Sequence, residues 1–456
     1  MLEPDKNPNP SFMVDPPALM RRVMRHLLGR VIDSAQIQKK RDQAEAKRKA
    51  AGAPHVVEYF HQLDDPYAHL TAQILERFAA RYDIVVETRL IRAAGGSAQP
   101  ELEKLAVWAR RDAELIAPHY GLGFPAEAPT VPNLDMQQHA ARLLAGLSSS
   151  EFIGNIQMIS TALWSAKEGA IAQINGEEVS DAEADDAFVK GSARMNELNH
   201  YSGATFYYAG EWYWGVDRLF HLEQRLRDLG AGKEPNAPYL APRPDIDVSG
   251  IDASQMTLDF YSSLNSPYTS IIFDRTIALK NECGIKFNHK PVLPMIMRGV
   301  PAPRAKGQYI LFDTGREARF LNVPFGPFWT PIGTPVRRAY SLLPWAMELG
   351  KDEALMSSLL KCAFSGNTPL HQARGMRKAV QMAGLDWNEA KNRMGDETWK
   401  PMVEGFQDEV VDGLGLWGVP SYKLSGPDGE LDLAVWGQDR LWLVAAEIQR
   451  RAAAAS

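Results

Sequence analysis

The stretch QMTLDFYSSLNSPYTSI (255–271) decides the architecture of this chain. Thr257 to Tyr261 reads as a short buried strand. Ser266 and Pro267 then open a helix. A serine oxygen accepts from the free amides of a first turn, and proline is tolerated there because its missing N–H would be unbonded anyway. Ile272, Thr276, Leu279 and Cys283 share one helical face, Gly284 supplies a stop, and Ile285 and Phe287 alternate as the next strand. This order predicts a βαβ unit with a parallel strand pair.

The pattern occurs twice. HVVEYFHQLDDPYAHL (55–70) has the same strand, polar turn and Pro-Tyr helix start, and Pro66 and Tyr67 recur as Pro267 and Tyr268, each 201 positions on. Further along, Trp214-Gly215-x-Asp217-Arg218-Leu219 recurs as Trp436-Gly437-x-Asp439-Arg440-Leu441, 222 positions on. Matching motifs in matching order predict two copies of one fold, the second carrying extra length between them. In the second copy a long helical stretch at roughly 335–410 precedes a hairpin, GVPSYKLS then LDLAVWG, and a last helix, DRLWLVAAEIQRR. In the first copy ARLLAGLSSSEFIGNIQMISTALWSAKEG is the helical insert. The expected fold class is α/β, two tandem thioredoxin-like domains, each with a helical insertion, plus an N-terminal helical extension. The boundaries expected are 1–52 for the extension, 53–230 for the first domain, 231–250 for a Pro/Gly-rich linker and 251–456 for the second.

Composition narrows the classes. The 456 residues are 45% hydrophobic and 23% charged, the balance of a globular protein, with a net charge of −6. That charge gives no global reason to expect nucleic acid as a partner. Two cysteines exclude a disulfide scaffold and a Cys-rich zinc module. The start, MLEPDKNPNPSFMVDPP, lacks the basic and apolar runs of a signal peptide, and no stretch approaches a membrane span, so a cytoplasmic location is expected. Within the extension, Met20, Met24, Leu27, Leu28 and Val31 fall at helical spacing among four arginines. Such a helix packs on its own protein, docks in a partner groove or lies on a membrane. The acidic stretch GEEVSDAEADDA (176–187) reads as a solvated loop or helix start.

Five features of the second half, DFYSSLNSPYT (259–269), PRAKGQY (303–309), DTGREA (313–318), GVPSY (418–422) and WGQDRL (436–441), resemble the 2-hydroxychromene-2-carboxylate isomerases and kappa-class glutathione transferases of the DsbA-like superfamily. The resemblance spans nearly all of 256–450 and implies that glutathione is a cosubstrate, with no metal. It implies that Ser266 is catalytic, steadying the glutathione thiolate. Physically, a charge-assisted hydrogen bond of about 1.5–3 kcal/mol lowers a thiol pKa by roughly one to two units. The bland reading of Ser266 is a plain helix cap. By resemblance, Pro420 is a cis-proline, Val419 offers its backbone to the cysteinyl part, Gln438 and Asp439 face the γ-glutamyl end, and Lys306 holds the peptide. Read without the family, Asp439 caps its own helix, Lys306 is a solvated surface lysine and GVP is a turn.

The implied activity is a glutathione-dependent isomerisation or transfer on a small aromatic or unsaturated acid. Phe325, Phe328 and Trp329 are candidates to line the acceptor pocket, with core packing the equal alternative. Asn265 beside Ser266 keeps a non-catalytic binding or scaffold role as the main rival. A disulfide oxidoreductase of the DsbA type needs a reactive cysteine at the start of the first helix, where this chain has Asn265-Ser266-Pro267-Tyr268. Cys283 and Cys362 read instead as buried core.

The first copy departs at each informative place. Asp64 and Asp65 stand at the serine turn, Thr205 aligns with the cis-proline, Glu101 lies near the place of Lys306, and only Asp217 and Arg218 survive. Adjacent acids oppose a thiolate, so this copy reads as one that lost the site. His55, His61 and His69 near those acids raise a metal site as a minor reading. No G-x-S-x-G elbow, H-E-x-x-H or P-loop occurs. Single-domain relatives commonly pair, so the partners expected are a small-molecule substrate and either another copy of the chain or the first half acting as an internal pseudo-dimer partner.

Overall fold

A computed structural model describes residues 7–455 apart from 166, 168, 175 and 235. The chain forms two compact units, one from Gln38–Pro244 and the other from Met1–Ile37 together with Asp245–Ser456. The helical extension is thus divided between them.

The first unit has strands β1 (Val56–Gln62), β2 (Val85–Ile91), β3 (Thr205–Tyr208) and β4 (Glu211–Trp214) in the order β2-β1-β3-β4. β1 runs parallel to β2 and antiparallel to β3, and β4 completes the hairpin. The second unit repeats this arrangement with β5 (Thr257–Ser262), β6 (Lys286–Pro291), β7 (Ser421–Ser425) and β8 (Leu433–Trp436), in the order β6-β5-β7-β8 and with the same directions. β1 and β5 are buried at all positions but the first, as strands covered on both faces must be.

Three helices lead the chain: α1 (Ser11–Val14), α2 (Ala18–Ile32) and α3 (Ser34–Ala50). In the first unit, α4 (Pro66–Arg81) joins β1 to β2. The insert then contributes α5 (Leu102–Ile116), α6 (Leu134–Ala145), α7 (Ser149–Trp164) and α8 (Asp181–Glu197), and α9 (Gly215–Asp228) closes the unit. Ser148 and Ser180 start α7 and α8 with reciprocal capping boxes to Glu151 and Glu183, so the acidic stretch at 176–187 is a helix start.

In the second unit, α10 (Pro267–Cys283) joins β5 to β6 and stops at Gly284, whose φ of +66° suits glycine. α11 (Arg304–Phe320) runs alongside α10. The stretch expected as one long helical region is six short helices: α12 (Thr334–Tyr340), α13 (Leu343–Glu348), α14 (Asp352–Phe364), α15 (Ala373–Met382), α16 (Trp387–Arg393) and α17 (Trp399–Asp408). Pro335 and Pro344 sit in first turns, and Gly350 and Gly384 lie just past helix ends at positive φ, so three of the five breaks have a local cause. The last helix is α18 (Leu441–Ala455), entered through a short 3-10 turn at Gln438–Arg440.

Within the second unit α2 is packed on the body. Arg21 is 2% exposed, donating to the carbonyls of Thr330 and Ile332 at 2.7 Å each and to Asp15 at 2.6 Å. Among the described residues no helix is long and apolar enough to cross a membrane.

Candidate functional site

Ser266 stands at the junction of β5 and α10 and is half-buried. Its oxygen accepts from the Thr269 amide at 3.1 Å, the cap anticipated from sequence, and its hydroxyl donates to the Val419 carbonyl at 3.1 Å. The cap and the contact with Val419 therefore coexist. The Val419–Pro420 peptide is cis. The turn itself is held from the insert. The Tyr340 hydroxyl accepts from the Leu264 amide at 3.3 Å and donates to the Val292 carbonyl at 2.8 Å. Arg298 donates to the Trp417 carbonyl, fixing the loop that leads to Val419.

From Pro420 a chain of contacts runs to the last helix. Gly437 donates its amide to the Pro420 carbonyl at 3.0 Å, and Gln438 follows, 3% exposed. The Gln438 amide nitrogen donates to Glu317 of α11 at 2.7 Å, which fixes which end of the amide is oxygen. That oxygen is buried with no hydrogen-bond partner among the described residues. Burying an amide oxygen unpaired costs about 1–3 kcal/mol, so a donor arriving there recovers a real deficit. Asp439 lies on the same turn, 17% exposed, beside Arg440.

Lys306 occupies the first turn of α11, which has no acidic residue and no side-chain cap. It is half-buried, and among the described residues it has no hydrogen bond or ion pair. Burial pushes its pKa down to about 8, and a cation at a helix N-terminus is further disfavoured by the dipole. An anion would relieve both. A rise of about 1.5 Å per residue puts Lys306 and Glu317 roughly 16 Å apart along α11.

The first unit shows what the same frame does without these groups. The Tyr67 hydroxyl donates to Asp112 at 2.6 Å as Tyr268 does to Asp313 at 2.9 Å, so the offset of 201 holds through the helix after β2. Lys306 therefore corresponds to Leu105, not to the neighbourhood of Glu101. The hairpin corrects a second expectation. Thr205 pairs with Trp214 and bonds back to the Ser202 carbonyl, as Ser421 pairs with Trp436 and bonds back to Gly418. Gly215 donates to Ala204 as Gly437 does to Pro420. The counterpart of Pro420 is thus Ala204, one residue before Thr205. Its φ of +54° is closed to proline, whose ring holds φ near −65°.

Asp65 caps α4 through the Tyr67 amide at 2.8 Å and is 9% exposed, and burial pushes its carboxyl up to about 7. The nearby histidines are each engaged elsewhere, His55 with Tyr208 at 2.6 Å, His61 with Tyr59 at 3.0 Å and His69 with Ser160 at 2.9 Å. Among the described residues no three His, Cys, Asp or Glu side chains converge as metal ligands. An open depression of about 550 Å³ is lined by residues including Glu76, Gln157, Met158 and Thr161, none of them a candidate site residue.

One constellation escaped the sequence. Ser262 Oγ lies 2.8 Å from His289 Nε2, and His289 Nδ1 lies 2.9 Å from Asp352. The connectivity is that of a nucleophile triad, but Ser262 is 0% exposed inside the central strand, where no substrate carbonyl can reach it. It ties α14 to the sheet. Burial pushes the Asp352 carboxyl up, and the bond from His289 more than offsets this, leaving it below its usual value. No sequence signal links residues so far apart. Of the aromatic candidates, Phe325 and Phe328 cluster with Phe364, while Trp329 donates to Asn367 at 3.0 Å and faces Arg25. Cys283 and Cys362 are each 2% exposed, and burial pushes both thiols up.

The four-stranded order of the second unit, with α10 rising from β5 behind a serine cap, is a thioredoxin-type arrangement. Residues 257–449 match the family model of the DSBA-like thioredoxin domain. Similar solved structures include a 2-hydroxychromene-2-carboxylate isomerase, 17% identical, covering 42% of this chain and 95% of that one with a TM-score of 0.36. Another is the cytosolic disulfide reductase DsbM from Pseudomonas aeruginosa, 16% identical, covering 43% and 98% with a TM-score of 0.33. No curated protein matches the chain.

Proposed function

We propose that the second unit binds glutathione as a cosubstrate and catalyses an isomerisation or transfer on a small aromatic or unsaturated acid. The observation that carries this is Ser266, a half-buried hydroxyl at a capped helix start, with both cysteines of the chain buried elsewhere. Glutathione, when bound, supplies a sulfur nucleophile that adds to an electrophilic carbon; elimination returns it unchanged in an isomerisation, whereas in a transfer its sulfur stays bonded to the product.

The residues present fit that ligand. The orphaned oxygen of Gln438 and the carboxylate of Asp439 suit an ammonium group, and Lys306 with the open first turn of α11 suits a carboxylate. Val419 and Pro420 shape the middle. Ser266 then turns its hydroxyl from the Val419 carbonyl toward sulfur, donating to the thiolate while its lone pair keeps the cap. The α10 dipole adds to the same preference for an anion. Disulfide chemistry is the weaker reading, because burial holds both thiols in the unreactive protonated form.

The test is titration of thiolate absorbance for glutathione held on the full chain. Ionisation well below the free thiol supports the reading. No binding at millimolar glutathione removes it and leaves the scaffold role.

A further inference from the structure

The serine turn is wired to a part of the chain outside the 257–449 domain. The Thr330 hydroxyl donates to Asn265 Oδ1 at 3.2 Å, one residue before Ser266, and Thr330 is 9% exposed. Arg21 of α2 holds the backbone of that same threonine by its carbonyl, and also holds Ile332, at 2.7 Å each. Asp15 completes the clamp by accepting from Arg21 at 2.6 Å and from the Thr334 hydroxyl at 2.5 Å. The fit is close, since a Cβ on Gly333 would fall 2.3 Å from Asp15 Oδ1. Further toward the N-terminus, Asn7 and Asn9 donate to the Ile296 carbonyl at 2.9 and 3.1 Å, next to the turn that carries Arg298. Two sides of the site thus lean on residues 7–32.

We infer that residues 7–32 are a working part of the site, and that Arg21 is a positioning residue that holds Thr330 so that its hydroxyl fixes Asn265 and with it the Ser266 turn. A guanidinium suits this task because its planar fork reaches two carbonyls and a carboxylate at once in fixed directions. A lone lysine nitrogen cannot span the same three acceptors with that geometry. The inference rests on the role of Ser266 proposed above for its chemical meaning, but not for its mechanical content.

The experiment compares Arg21→Gln, Thr330→Val and Thr330→Ser in the full chain, with folding checked by circular dichroism. Two readings are taken: amide hydrogen exchange over 263–270, and the pKa of bound glutathione thiol. In Thr330→Val, exchange at the turn is expected to rise about fivefold, the factor carried by one ordinary hydrogen bond. The thiol pKa is expected to rise about one unit, while affinity for S-methylglutathione, which lacks an ionisable thiol, stays within about twofold. Thr330→Ser keeps the hydroxyl and restores both readings. Arg21→Gln reproduces Thr330→Val, and the double variant is no worse than either alone. Unchanged exchange in Thr330→Val overturns the inference, as does a Thr330→Ser variant no better than valine. If the unsubstituted protein takes up no glutathione, the functional reading falls and exchange alone decides the positioning claim. If Arg21→Gln fails to fold, Arg21→Lys, which keeps the charge without the two-carbonyl fork, takes its place, and unchanged exchange in it overturns the part assigned to Arg21.

Discussion

Ser266 performs two tasks that substitution separates. Replacing it by alanine removes a helix cap, at a cost of about 1 kcal/mol in unfolding free energy, and removes the donor to sulfur. The bound thiol pKa is expected to rise by about one to two units on absorbance titration. An unchanged titration discards the assigned role. Lys306 makes a proton-linked prediction. Its pKa is about 8 in the folded chain and near 10.4 when unfolded, so between those values the unfolded state binds the extra proton. Stability therefore gains from this group as pH rises from about 8 to about 10. An anion bound beside it restores the charge. S-methylglutathione binding at about pH 9 should draw a proton from buffer, seen as a calorimetric heat that varies with buffer ionisation, and Lys306→Met should abolish the uptake. Asp65 behaves oppositely. Its carboxyl titrates about 7 when folded and near 3.9 unfolded, so the folded chain holds the extra proton between about pH 4 and pH 7. Stability from this group is full below about pH 4 and is lost as pH rises through about 7. Asp65→Asn keeps the cap acceptor and removes the loss. Its melting temperature at pH 8 should exceed that of the parent by about 2–4 °C per kcal/mol recovered, with little difference at pH 4.

At the level of elements, the helix starts are local and separately testable. Ser148→Ala and Ser180→Ala each break a capping box on the first unit and should cost about 1 kcal/mol apiece in denaturant unfolding, additively because the two caps are on different helices. Such local signals are also what made the sequence readable. The β5–α10 turn announces itself through a short apolar-aromatic run, a serine before a proline and a glycine stop, all within one short window. The hairpin before the last helix is equally local. What could not be read depends on register or distance. Ala204 and Thr205 both look like counterparts of Pro420 in an alignment, and only the ladder partners Trp214 and Trp436 separate them. The triad-like set joins Ser262 to Asp352 through His289, and the Arg21 clamp joins residues 309 positions apart. Neither leaves a periodic trace. Part of the six-way division of the insert was legible in principle, since Pro335 marks its start and Pro344, Gly350 and Gly384 stand at three of its five breaks.

For the whole molecule, the proposed ligand should protect one unit and not the other. In hydrogen exchange with glutathione present, slowed amides are expected around 263–270, 304–307 and 418–439, with none around 62–70 or 202–205. At a hundred times the dissociation constant, binding should add about 2.7 kcal/mol to the unit that takes up the ligand. Protection around Asp65 would show that the first unit kept a site of its own. The division of the chain also has a consequence for how it is made. Residues 7–32 are translated before residues 38–244, and the carbonyls that Arg21 grips, at Thr330 and Ile332, only after them. Throughout that interval the guanidinium that ends up 2% exposed is held by water, and the segment has no bed to settle on until Thr330 and Ile332 emerge.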